Sequence, residues 1–255
     1  MSESVEFRDI TVAAAGGLRI LNSISFAVEA ETTTVLLGRS GSGKTTLLRT
    51  VNRMIAPTSG DVLIGEKSNC DADLIRLRRK IGYVIQETGL FPHFTIERNA
   101  GVVLEAKGMP RGERMERSHE LLHAVGLDPA SFAPRYPHQL SGGQRQRVGL
   151  ARALAADPEI LLMDEPFGAL DPVTRREMQD MLLQLLGRLK KTVLLVTHDL
   201  NEALYLGNNI ALLHEGSLAA HVSPQEFLVS EMPDVQAYIN AFQRGERNSC
   251  QGEIR

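Results

Sequence analysis

Apolar residues come in two rhythms along this chain. Val5 to Ile10 and Ile24 to Val28 alternate apolar and polar positions, the period of a half-exposed antiparallel sheet. Val35-Leu36-Leu37, Ile160 to Met163 and Val193 to Val196 are instead short continuous apolar runs that stop at polar residues. Buried parallel strands ending at a site read this way. Ile81 to Ile85 is another strand-like run, closed by Gln86. Helical spacing appears from Thr46 to Met54, where Leu47, Leu48, Val51 and Met54 share a face. It returns between Asp171 and Leu189, where Met178, Met181, Leu182, Leu185 and Leu189 recur and supply a crossover between two strands. The pattern predicts an α/β fold: a doubly wound parallel sheet with an antiparallel β subdomain ahead of it.

From 87 to 156 the strand-helix rhythm breaks. A loop at Gly89-Leu90-Phe91-Pro92-His93, a charged helical run from Arg111 to Val125 and a glycine-opened helix after Ser141 predict a helical insert. The expected organisation is a nucleotide-binding core from 1–86 and 157–228, the helical subdomain 87–156, and a tail 229–255. The polar stretch 243–249 is expected to be disordered.

Length and composition bound the alternatives. At 255 residues with 43% apolar content, the chain can bury one large core. Its net charge of −3 gives no broad basic field, so nucleic acid is not an expected partner. Cys70 and Cys250 lie far apart and outside metal-ligand spacing, as reduced cytosolic thiols would. Acidic residues at the start argue against a signal peptide, and no apolar run approaches the roughly 20 residues of a membrane span.

The chemistry sits where the apolar runs end. Gly38-Arg39-Ser40-Gly41-Ser42-Gly43-Lys44-Thr45, leading into Thr46, matches the phosphate-binding loop pattern. Glycines let the backbone curl its N–H groups toward phosphate oxygens, Lys44 reaches the β- and γ-phosphates, and the Thr45 hydroxyl serves Mg²⁺. Asp164, closing an apolar strand, is placed to hold Mg²⁺ through water. Glu165 follows it, and strand alternation is expected to turn the two carboxylates to opposite sides, leaving Glu165 as general base for an attacking water. His198 follows the next strand and could bond the γ-phosphate or orient the water. The remaining histidines, at 93, 119, 123, 138, 214 and 221, are expected on loops or the surface. Gln86 offers an amide to the metal or the water.

About a hundred residues after the phosphate loop comes Leu140-Ser141-Gly142-Gly143-Gln144. A glycine pair opening a helix exposes amides at the positive end of the helix dipole and makes a second anion site. It has no evident ligand in its own chain, which points to ATP held by a second copy.

With these motifs in this order, together with Gly168-Ala169-Leu170-Asp171, residues 5 to 228 resemble the ATPase subunit of an ATP-binding cassette (ABC) transporter. The resemblance implies a P-loop NTPase core, ATP and Mg²⁺ as cofactors, and a homodimer closing on two nucleotides. It makes Ser141 to Gln144 the signature that binds the partner's γ-phosphate, Gln86 a coupling glutamine, and Asp171 part of an interface loop. The helical insert becomes the surface that docks membrane permease subunits, and the location is the cytoplasmic face of the membrane. A substrate-binding protein joins indirectly.

The stretches 52–60 and 79–93 look like importers of glycine betaine, choline and related osmoprotectants. Three departures stand out. The stretch Val12-Ala13-Ala14-Ala15-Gly16-Gly17 lacks the aromatic that usually stacks on adenine, worth roughly 1–3 kcal/mol; Phe7 is the candidate substitute. The turn Glu29-Ala30-Glu31-Thr32 stands where the family commonly has Pro-Gly, so a different geometry is expected there. The roughly 25 residues after Phe227 are too few for the paired regulatory module many such ATPases carry.

Three other readings stay open from residues alone. A soluble cassette could clamp DNA or ribosomes, though the chain holds one cassette and no heptad run. An importer ATPase could serve another small solute. A nucleotide-binding module without catalysis conflicts with the presence of both Glu165 and His198.

Overall fold

The computed structural model describes residues 2–14, 16–86 and 88–251, with side chains as far as Arg244. Ala15 of the adenine stretch, Glu87 at the start of the insert, the Cys250 side chain and residues 252–255 lie outside the described residues. Along the chain come β1 (Val5–Ala13), β2 (Arg19–Val28), β3 (Thr33–Leu37), α1 (Lys44–Val51), β4 (Ser59–Ile64), β5 (Lys67–Ser68) and α2 (Leu74–Arg79). Then follow β6 (Ile81–Val84), α3 (Ile96–Ala106), α4 (Arg111–Ala124), α5 (Pro129–Phe132), α6 (Gly142–Leu154), β7 (Ile160–Asp164) and α7 (Pro172–Leu189). The chain closes with β8 (Thr192–Thr197), α8 (Leu200–Leu206), β9 (Asn209–His214), β10 (Ser217–Val222), α9 (Pro224–Val229) and α10 (Pro233–Gln251).

The chain divides into two compact units. The loop unit holds Val5–Val28, Thr32–Cys70 and the residues from Val196 onward; the helical unit holds Glu29–Glu31, Asp71–Leu195 and the first few residues.

In the loop unit, β2, β1, β4 and β5 form an antiparallel sheet in that order. Phe7 faces Phe26 on one side and Val62 on the other. Alternation buries Val5, Phe7, Ile10 and Val12, but the register shifts between Phe7 and Ile10. Asp9 takes up the extra residue at φ 51, and its carboxylate accepts from the Ser23 and Ser25 hydroxyls at 3.0 and 3.1 Å. This is a β-bulge, and it explains why β1 runs three residues beyond the alternating stretch. β9 pairs in parallel with β3 and antiparallel with β10. Every residue of β3 is buried, as its unbroken apolar run requires. Helix α1 buries Leu47, Leu48 and Val51 but ends there, leaving Met54 exposed rather than on the buried face.

The tail expected to be disordered is helix α10 as far as Gln251. Val235 and Ile239, four residues apart on one face, are buried and hold it down.

In the helical unit, β6 and β7 pair in parallel with Ile81 beside Ile160 and Val84 beside Met163. Helices α3, α4 and α6 pack together, with Leu104, Leu121, Leu122, Val125 and Val148 buried among them. Gly82 lets α6 come close: a Cβ there would stand 2.5 Å from the Ala153 carbonyl oxygen. The fully buried Asn99 amide pins the loop before α3, accepting from Phe91 N–H and donating to the Phe91 and Phe94 carbonyls. Glu31 adopts φ 62, the left-handed conformation a glycine would take in that turn, and its N–H donates to Thr192 Oγ1 at 3.0 Å. The turn therefore keeps a glycine-like backbone without the glycine.

Candidate functional site

The loop unit presents the glycine loop where β3 stops. Gly38 is a close approach: a Cβ on it would overlap the Leu213 carbonyl oxygen and stand 2.7 Å from Ser42 Oγ. Gly43, at φ 96, is the N-cap of α1 and makes no side-chain cap hydrogen bond. A helix start without a side-chain cap turns the positive end of its dipole toward the loop, the arrangement that suits an anion. Lys44 is buried and curls back over the loop, its Nζ donating to the Gly38 and Arg39 carbonyls at 2.8 and 2.9 Å. Ser42 Oγ is buried with no hydrogen-bond partner. A cradle lined by amides, one ammonium and an orphaned hydroxyl fits a polyphosphate. Arg39 and Ser40 are exposed at its rim, with Thr45 and Thr46 half-buried on the first turn of α1.

His198 also lies in the loop unit, exposed and just past β8. Its surroundings are tightly tied. Thr197 Oγ1 donates to the buried Glu202 carboxylate and accepts from Asp199 N–H at 3.0 Å. Asp199 in turn caps α8 by accepting from Asn201 N–H at 2.8 Å. The carbonyl of His198 accepts from the Tyr238 hydroxyl at 2.7 Å, a contact no sequence motif announced.

Phe7 does not serve as an adenine platform. It is buried to 1% exposure and stacks on Phe26 with ring centroids 4.8 Å apart, so its ring is taken up by core packing. His221, expected on a loop or surface, stands on β10 with its ring 5.0 Å from that of Phe26.

In the helical unit, parallel pairing brings the ends of β6 and β7 together and with them Gln86, Asp164 and Glu165. Asp164 is buried and its Oδ2 accepts from the Tyr83 hydroxyl at 3.2 Å. Glu165 lies beyond the strand at φ 44, so its direction is set by a left-handed backbone and not by strand alternation. Its Oε2 is 3.5 Å from Gln86 Nε2. A non-glycine residue held left-handed costs of order 1 kcal/mol or more and is typical of sites where a side chain must be aimed. Tyr83 is the partner that sequence reasoning passed over, because one polar atom in an apolar strand reads as packing.

The glycine pair after Ser141 is built differently from the loop at Gly38. Ser141 Oγ accepts from Gln144 N–H at 3.3 Å while Gln144 Oε1 accepts from Ser141 N–H at 3.0 Å, a reciprocal capping box. The spacing Ser-x-x-Gln is its legible signal. Arg145 Nη1 donates to the Leu140 carbonyl at 2.7 Å and closes the turn from the other side. A Cβ on Gly143 would overlap Thr174 Cγ2 on α7. Asp171 is the N-cap of α7, its Oδ1 accepting from Thr174 N–H at 3.1 Å, and the Thr174 hydroxyl and amide hold its carboxyl below the usual range. The structure thus brings Ser141 to Gln144 together with Asp171 and adds Thr174 to the group.

Arg152, farther along α6, donates to the Thr88 and Gly89 carbonyls at 2.6 and 2.8 Å, tying the loop after Gln86 to the same helix. Among the described residues no three or more His, Cys, Asp or Glu side chains gather as metal ligands. In the helical unit Gln86 offers an amide and Asp164 a carboxylate, and in the loop unit Thr45 offers a hydroxyl; each is an oxygen ligand of the kind a hard cation takes. Among the same residues no helix is long and apolar enough to cross a membrane.

The ABC transporter family profile matches residues 21–168. The chain is 49% identical over 211 residues to the osmoprotectant import ATP-binding protein of Salmonella typhimurium, covering 83% of this chain and 55% of that protein. It is 46% identical over 213 residues to the glycine betaine/carnitine/choline transport ATP-binding protein of Bacillus subtilis, covering 84% and 56%. The chain thus spans about half the length of these two relatives. A glycine betaine uptake system ATP-binding protein of Escherichia coli is 40% identical over 91% of this chain and 75% of its own length. Among solved structures, a dimeric ATP-binding cassette in a post-hydrolysis state bound to ADP and Pi superposes with a TM-score of 0.78 at 35% identity, covering 86% of this chain and 98% of that one. The α/β fold with its antiparallel subdomain, expected from the apolar rhythm, and the P-loop core that the resemblance implies are therefore the fold of this chain.

Proposed function

The chain belongs to the ABC transporter family, and from that premise we propose that it is the ATP-hydrolysing subunit of an importer for osmoprotectants such as glycine betaine or choline. The observation that carries the reading is the loop from Gly38 to Thr45: an uncapped helix start, an orphaned buried hydroxyl at Ser42 and an ammonium at Lys44 resting on its own loop carbonyls. A triphosphate gives Lys44 stronger partners than two neutral carbonyls, because the attraction between unlike charges adds to the hydrogen bond.

In this reading the amides of residues 38–46 hold the phosphates, and Thr45, Asp164 and Gln86 hold Mg²⁺. The cation, when bound, offsets phosphate charge. Glu165 takes the proton of the attacking water, and His198 orients the γ-phosphate or that water. Ser141, Gly142 and Gly143 meet the ATP of a second copy; Gln144, spent on the capping box, shapes that surface rather than reaching for phosphate. Asp171 shapes the same surface through its cap on α7. The partners are a second copy of the chain, permease subunits docked on 87–156 and, indirectly, a substrate-binding protein, with the ATPase at the cytoplasmic face of the membrane. The substrate class rests on the names of the relatives, since no residue here reads a quaternary ammonium.

Glu165→Gln tests the enzyme. Turnover should fall by about 10²–10⁴-fold, the usual worth of a general base. ATP binding should survive, and light scattering should show an ATP-dependent doubling of mass. A variant that stays monomeric with ATP and keeps full turnover overturns the assignment.

A further inference from the structure

We propose that Tyr238, on the C-terminal helix α10, is a positioning residue for His198: its hydroxyl holds the His198 carbonyl and thereby fixes the backbone that presents the imidazole. The proposal rests on the reading of His198 as a residue that acts on the γ-phosphate or the attacking water.

The geometry is specific. The hydroxyl donates to the carbonyl at 2.7 Å across 40 residues of sequence. Helix α10 is anchored on both sides of Tyr238 by the buried Val235 and Ile239, so the phenol is delivered by a fixed backbone. Tyr238 also lines a cavity of about 140 Å³ with Arg39 of the phosphate loop, Leu213 and His214 of β9, and Asp234. His214 Nδ1 and Asp234 Oδ1 are 3.2 Å apart, fastening the first turn of α10 to the end of β9. Leu213 is the residue whose carbonyl abuts Gly38. One helix therefore braces the loop that carries His198 and the strand against which the phosphate loop is packed.

The carbonyl end of this bond is backbone, so it acts on the φ and ψ of residue 198 and not on the imidazole itself. Burial, and after it the Asp199 carboxylate, push the Tyr238 phenol up to about 12. The hydroxyl stays protonated and remains a donor across any working pH. Ties such as Thr197 to Glu202 and Asp199 to Thr197 hold the residues before and after His198. Tyr238 holds His198 itself.

The experiment compares Tyr238→Phe, His198→Ala and the double variant in the full chain. Phenylalanine keeps the ring and removes only the hydroxyl. In Tyr238→Phe, kcat should fall roughly tenfold, within the cost of a catalytic group displaced by under an ångström, with KM for ATP unchanged. The melting temperature should stay within error of wild type. The double variant should be no slower than His198→Ala alone. Without any nucleotide, the NMR resonance of the His198 imidazole Hε1 should shift in Tyr238→Phe. Full kcat in Tyr238→Phe, an unmoved Hε1 resonance, an additive loss in the double variant, or a loss that tracks a lowered melting temperature each overturns the proposal. Full turnover in His198→Ala overturns the underlying reading of His198 and takes the proposal with it, an outcome distinct from the other four.

Discussion

Two glycine-marked loops in this chain each open a helix, and they solve the helix-start problem in opposite ways. At Gly43 the cap residue is left-handed and brings no side chain, so α1 begins without a side-chain cap. At Ser141 the helix start is satisfied from within, by a hydroxyl and an amide that cap one another's backbones. The first loop is incomplete without an anion. The second is a finished surface in which Gly143 serves close packing against α7 and neither glycine serves backbone reversal, since neither Gly142 nor Gly143 has a positive φ. A motif rich in glycine can thus be a cradle waiting for its ligand or a flat face prepared for one that arrives already held.

The contrast is sharpest when a single methyl is added to each loop. Gly38→Ala should cost about 2–3 kcal/mol in urea denaturation, the range for forcing atoms into a filled space, and should abolish ATP binding. Gly142→Ala should stay within about 0.5 kcal/mol of wild type, as for substitutions away from tight contacts, because its Cβ meets nothing nearer than Leu170 Cδ2 at 3.9 Å. Equal losses at the two positions would erase the distinction.

Next in size is Gly143→Ala, expected to cost about 1–2 kcal/mol by crowding Thr174. Adding Thr174→Ser removes the offending methyl while keeping the hydroxyl at Asp171, and most of the loss should return. No recovery in the double variant would show that Gly143 is needed for some reason other than α7. Smaller than the Gly143 loss is that of Ser141→Ala, about 1 kcal/mol of stability for a lost N-cap. If denaturation curves show no change there, α6 does not depend on its own cap, and the two loops are more alike than the hydrogen bonds indicate.

How much of this could be read from residues follows the range of the forces involved. Continuous apolar runs announced β3, β7 and β8 because strands buried on both faces leave no choice of residue. The loop at Gly38 was legible because phosphate binding needs glycine, lysine and threonine at fixed steps. Ser141 with Gln144 and Asp171 with Pro172 are equally local signals of a helix start. What escaped was set by distant packing. Nothing near Phe7 in sequence says that Phe26 covers it, and nothing near Glu165 says that its backbone turns left-handed. The polar run after Phe242 hid a helix because two apolar anchors upstream suffice to start it. Tyr238 and His198 are joined only by tertiary structure.

Arg152 gives the last consequence. Its guanidinium is largely buried and grips two successive carbonyls of the loop that follows Gln86, while its own backbone sits inside α6. Two bonds to adjacent peptide units resist rotation as well as separation, which one bond cannot do. At this point the loop after Gln86 and the helix that opens at Ser141 are therefore fastened against both separation and twist.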